Sequence, residues 1–143
     1  MATVNTRALM GASAAFLGAL GVAASFAPQE IVARYGADPA GMAVVGVQIA
    51  GALYLGIAML DWMARGNLIG GIYSRPVALG NFVHYAVAAI VLAKAAIGGS
   101  RLPEILLGGV AYAVFAVLFG RVLFTHPTPA AQSSASLPTT EKP

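Results

Sequence analysis

The chain has 143 residues, 59% of them hydrophobic and 9% charged, against roughly 45–50% apolar and about 25% charged in a soluble domain; this is the composition of a protein in lipid. One domain fits that length, and four spans of about 20 residues would fill most of it, leaving no room for a soluble enzyme domain. Cysteine is absent, which excludes disulfide exchange, thiolate nucleophiles and cysteine metal ligands, and with them the four-helix thiol oxidoreductases. The formal charge of +3 is spread over Arg7, Arg34, Arg65, Arg75, Lys94, Arg101, Arg121 and Lys142. Such scatter excludes a nucleic-acid footprint and reads as interface anchoring and topology signalling.

The first apolar run, Ala8 to Ala27, carries no charge and stops at Pro28. A signal peptide is the competing reading, because Arg7 precedes the run and Ala23-Ala24-Ser25 is a small-residue cleavage site. The run is longer than the usual h-region, so it is taken as a transmembrane helix. Pro28-Gln29-Glu30 then opens a short helix to Tyr35, with proline where no amide donor is needed and Glu30 near the positive end. Gly36 closes it, and its length places it at the membrane surface. Asp38-Pro39 is expected to cap the second span, Met42 to Met63. A connector follows from Ala64 to Arg75, with Gly66, Gly70 and Gly71 between Trp62 and Tyr73 at aromatic-belt level. Pro76 starts the third span, to Ile97; Gly98-Gly99-Ser100 turns the chain, and Pro103-Glu104 opens a fourth span over 102–124. The remainder, 125–143, is poor in anything that buries and is expected to be a disordered cytoplasmic tail. The expected fold is an all-α membrane protein, an antiparallel four-transmembrane-helix bundle with a short interfacial helix after the first span.

Orientation follows from Lys and Arg. The side with the N-terminus, the middle connector and the tail carries Arg7, Arg65, Arg75, Arg121 and Lys142; the other side carries Arg34, Lys94 and Arg101. The richer side is expected to be cytoplasmic, so both termini face the cytoplasm.

Helices in lipid associate by close packing, which small residues permit. Gly11, Ala14, Gly18, Gly21 and Ser25 recur at alternating intervals of three and four in the first span. Ala86, Ala89, Ala93 and Ala96 do so in the third, and Gly109, Ala113, Ala116 and Gly120 form a similar stripe in the fourth. These stripes read as packing seams of a bundle whose consecutive helices are neighbours. The alternative is chance regularity, since 17 glycines stand in so short a chain. Bundle closure and self-association would use the same stripes.

Polar groups inside the membrane are the place to look for function. They are Gln48, Tyr54 and Asp61 in the second span, Asn81, His84 and Tyr85 in the third, and Tyr112 in the fourth. At 1.5 Å per residue, Asn81 lies about 7 Å and His84 about 12 Å inside, with Tyr54 about 13 Å from the same side. Tyr54 and Asp61 share one helix face, Asn81 and His84 another. If those faces meet, the four line a polar pocket between the second and third spans, open toward the cytoplasm. The competing reading makes His84 and Asn81 interhelical glue. Asp61 and Arg75, either side of the connector, suit a boundary salt bridge of little energetic weight. Gln48 falls on roughly the opposite face from Asp61 and reads as a helix contact; His126 lies in the tail.

Several classes fall away. Bis-histidine haem needs a second intramembrane histidine, leaving only a His84 and Met59 pair. Small multidrug exporters need an acidic residue in the first helix, which has none. Membrane glutathione-handling enzymes use a charged cluster on their helices that is not found here. No serine, histidine and acid set is expected, with Asp61 near the boundary and Ser13 and Ser25 on a packing seam. Neither cofactor nor metal is expected.

The stretch LYLGIAMLDWMARGNLIGGIYSRPVALGN, Leu53 to Asn81, together with FAPQEIVARYG before it, resembles a group of uncharacterised bacterial four-helix membrane proteins, broadly DoxX-like, over the first three helices. The resemblance implies a four-helix fold in the bacterial cytoplasmic (inner) membrane and transfers no functional residue. The leading functional expectation is a non-enzymatic membrane protein of the interaction or accessory-subunit type, whose partners are the lipid bilayer and either further copies of itself or a larger complex. The alternative is a binder or carrier of a small apolar ligand, a quinone or lipid, in the pocket of Tyr54, Asp61, Asn81 and His84. A cavity that stays open between helices favours the second; a closed, fully packed bundle favours the first.

Overall fold

A computed structural model describes residues 5–66, 75–99 and 102–124. Five α-helices make it up: α1 (Thr6–Phe26), α2 (Pro28–Arg34), α3 (Met42–Ala64), α4 (Arg75–Ile97) and α5 (Pro103–Phe124). There is no strand among the described residues. All but α2 are long and apolar enough to cross a membrane. The expected tail, Gly70, Gly71 and Tyr73 of the connector, and Arg101 lie outside the described residues.

Local chemistry sets the helix ends. Asn5 caps α1, its side chain accepting from the Ala8 amide at 3.1 Å, which satisfies one of the orphan donors of the first turn. Pro28 begins α2 where its missing N–H costs nothing. Gly36, at φ 75°, ends it in a left-handed conformation, with the Ala37 amide reaching back to Val32 O at 3.2 Å. Asp38 does not cap α3 as expected. Its carboxylate accepts from Ala40 N at 2.9 Å and its carbonyl from Gly41 N at 3.0 Å, so it closes a turn of its own; α3 starts behind Gly41 without a side-chain cap. An Asx-turn competes with a cap for the same oxygen.

Helix pairing is uneven. α1 lies along the length of α3, and α4 along α5, whereas α3 meets α4 and α1 meets α5 only locally. Consecutive helices are therefore close neighbours within each pair, and the expectation fails between α3 and α4, whose backbones stand apart. In the first pair Ser13 faces Asp61, and Gly18, Gly21 and Ser25 face Ala58, Leu55 and Gly51, with numbers rising on one helix as they fall on the other. A Cβ at Gly21 would stand 2.8 Å from Leu55 Cγ, and one at Gly51 would stand 2.6 Å from Ser25 Oγ. Only glycine allows that approach. In the second pair Leu92 lies against Gly108 and Gly109, and Phe82 against Gly120. Of the other stripe residues, Ala14 is buried, Ala86, Ala89, Ala96 and Ala116 are half-buried, Ala93 and Ala113 are exposed, and Gly11 has open space beside it.

The two pairs are joined by an aromatic core. Tyr85 of α4, wholly buried, stacks on Phe115 and Phe119 of α5 with centroids 4.7 and 5.7 Å apart. Phe16 of α1 meets Tyr112 and Phe115, both at 5.4 Å. Outward faces carry Ile49, Leu53, Leu60, Val87, Val110 and Val117, the apolar surface a lipid-facing helix presents.

Candidate ligand cavity and buried polar cluster

The four residues expected to share one pocket fall into two neighbouring places. Asp61 and Asn81 belong to a buried cluster; Tyr54 and His84 line a cavity on its far side.

Asp61 stands three residues before the end of α3 and is fully buried. Ser13 of α1 donates to its Oδ2. Asn81 Nδ2 of α4 donates to its Oδ1 at 2.5 Å and to Val77 O at 3.1 Å. The Tyr85 hydroxyl lies 2.7 Å from Ser13 Oγ. Three helices thus meet on one carboxyl, and Asn81 Oδ1 in the same cluster has no protein partner. Burial of a carboxyl in an apolar core is tolerable when its oxygens are hydrogen-bonded, as both are. The boundary salt bridge expected between Asp61 and Arg75 is not formed: Asp61 turns inward to Ser13 and Asn81, while Arg75 is exposed. Arg65, also at that end, lies over the Trp62 ring at 3.2 Å.

The expectation that serine and acid stay apart is also corrected, since Ser13 and Asp61 are bonded. His84 does not complete a triad. Its ring packs against Tyr54, Tyr85 and Tyr112, with centroids 5.6, 5.3 and 5.7 Å away, whereas acyl-transfer chemistry requires the imidazole between the hydroxyl and the acid. His84 Nε2 is buried without a partner, so no interhelical hydrogen bond from that nitrogen ties the helices together.

Beyond Tyr54, His84 and Tyr112 the pairs separate around a cavity of about 1010 Å³. Its walls are the second half of α1, the first half of α3, the second half of α4 and the first half of α5. Small residues at the facing positions, among them Ala23, Ala24, Ala50, Ala88, Gly108 and Ala111, leave the volume unfilled. The inner end is polar, through two tyrosines and the histidine; the length is apolar; the outer end is bounded by Ile31 and Tyr35 of α2 and by Glu104 of α5. There Arg34 and Glu104 form an ion pair that links α2 to α5. A second cavity, of about 310 Å³, lies between α3 and α4 against Asp61, Asn81, Pro76 and Val77. Gln48 is exposed on α3 and takes no part.

Sequence reasoning missed Ser13 and the role of Tyr85 and Tyr112. Ser13 is one of two serines in a mainly apolar helix and lies on the half of α1 that runs beside the end of α3 holding Asp61; that position was the available signal. Among the described residues no group of three His, Cys, Asp or Glu side chains is placed to hold a metal. No protein-family model, no curated protein and no solved structure matches the chain.

Proposed function

We propose that the chain is a multi-pass protein of the bacterial cytoplasmic membrane that binds a neutral, mainly apolar small molecule, quinone-like or lipid-like, between its two helix pairs. The large cavity carries this reading. Ligand sites are typically apolar clefts of about 300–1,000 Å³ with a few convergent polar groups, and here Tyr54, His84 and Tyr112 converge at one end of an apolar space. That end lies deep in the bundle, where a charged head group would be expensive. A neutral group able to exchange hydrogen bonds with His84 Nε2 suits it. A closed bundle would have supported an interaction-only role; this open interior supports a binder.

Filling the cavity tests the reading. Protein extracted gently with its lipids is expected to carry a defined hydrophobic molecule by native mass spectrometry, and Ala111→Trp is expected to lose it while keeping its thermal stability. A bound species that survives in the filled variant, or a wild type that carries none, rejects the proposal.

In the same reading the helices form an antiparallel bundle, α2 rests at the outer membrane surface, and both termini are cytoplasmic, as the Lys and Arg bias supports. A reporter active only in the periplasm, fused after Lys142, should stay silent, and one inserted near Arg34 should be active. The opposite pattern inverts the topology.

A further inference from the structure

Asp61 is unused by the ligand reading, and its surroundings are unlike those of a merely tolerated carboxyl. Its partners are Ser13 from α1 and Asn81 from α4, with Tyr85 of α4 one hydroxyl further on. From α5, Phe119 stacks on Tyr85, and the charged residue of its last turn, Arg121, is exposed. The bonds that Asp61 makes are to the neutral side chains of Ser13 and Asn81.

The two hydroxyls can point either way. With Asp61 ionised, Tyr85 O–H donates to Ser13 Oγ and Ser13 O–H donates to Asp61 Oδ2. With Asp61 protonated, its own O–H donates to Ser13, and Ser13 donates to Tyr85. The heavy atoms need not move, and Asn81 Nδ2 serves Oδ1 in both states. We propose that Asp61 is a proton-binding site inside the bundle, loaded and emptied through the Ser13 and Tyr85 hydroxyls. On loading, a proton adds to the Tyr85 oxygen as Tyr85 passes its own to Ser13 and Ser13 passes its own to Asp61. Each hydroxyl breaks one O–H bond and forms another, and one net proton arrives. The Tyr85 ring packs against His84 and Tyr112, at 5.3 and 5.4 Å between ring centroids, and those two residues line the large cavity. On its other side Asp61 borders the smaller cavity.

The sequence makes a clean measurement possible, because Asp38 and Asp61 are its only aspartates. Asp38→Asn protein, labelled isotopically at the aspartate side-chain carboxyl carbon and held in lipid nanodiscs, leaves Asp61 as the one labelled group. Infrared difference spectra are taken as pH falls from about 9 to about 4, the span that free and buried carboxyls cover. The expected result is a labelled carboxylate band replaced reversibly by a labelled carboxylic-acid band within that span, with the acid band moved in frequency by Ser13→Ala and the exchange slowed by Tyr85→Phe. A labelled group that stays ionised throughout, or protonated throughout, overturns the proposal. So does an acid band indifferent to both variants.

Discussion

Gly51→Ala is expected to cost about 2–3 kcal/mol, a large loss for one methyl group. The added Cβ would lie 2.6 Å from Ser25 Oγ, 2.8 Å from Ser25 N and 3.0 Å from Ala24 C. A hydroxyl can rotate away, but the backbone of α1 cannot, so the helices must part along a seam that also includes Gly18 and Gly21. In lipid no hydrophobic driving force restores the contact, because the separated surfaces are as well solvated by acyl chains as by each other. Gly46 and Gly56 on the same helix have nothing within 4 Å. Their alanine variants are expected to be neutral or to gain up to about 1 kcal/mol of helix propensity. Denaturation in one detergent would compare the three, and equal shifts would contradict the close approach of α1 and α3.

Tyr85→Ala is expected to cost about 3 kcal/mol or more, and Tyr85→Phe about 1 kcal/mol. The ring is wholly buried between Phe115, Phe119, Tyr112 and His84, so truncation removes dispersion contacts on several sides and leaves a void beside an existing cavity. The transfer component of such a loss is weaker in a membrane than in water, which places the expectation at the lower end of the range for aromatic truncations. Removing the hydroxyl alone forfeits one hydrogen bond to Ser13, and such bonds between membrane helices average about 0.6 kcal/mol with a maximum near about 1.7. Similar losses for the two variants would show that the hydroxyl, rather than the ring, holds α4 to the rest.

The apolar spans were readable because lipid demands long uncharged runs and because proline and glycine mark their ends. Gly36 announced the end of α2 by the same logic. The site was only partly readable. Depth along an axis follows from residue number, so Tyr54 and His84 could be set at one level, and their rings do meet. Rotation about the axis does not follow from number. The sequence sets Asp61 both beside Asn81 and near Arg75; it does meet Asn81, but it turns away from Arg75 to Ser13, a partner 48 positions earlier whose role no local pattern declares. The cavity was invisible for a related reason. Alanine and glycine at Ala50, Ala88, Gly108 and Ala111 look like further packing residues in the sequence, and only the stand-off between the two helix pairs turns them into walls around empty volume.

The order in which the chain leaves the ribosome gives the Ser13 contact another meaning. When Asp61 enters the bilayer, Asn81 and Tyr85, 20 and 24 residues behind it, have yet to follow, but Ser13 has already been threaded in with α1. The newborn first hairpin therefore shields the one acidic side chain of its two long helices internally, and α4 later arrives at a carboxyl that still offers an acceptor. Biogenesis in two hairpins, each seated before it meets the other, is the assembly route that this arrangement favours.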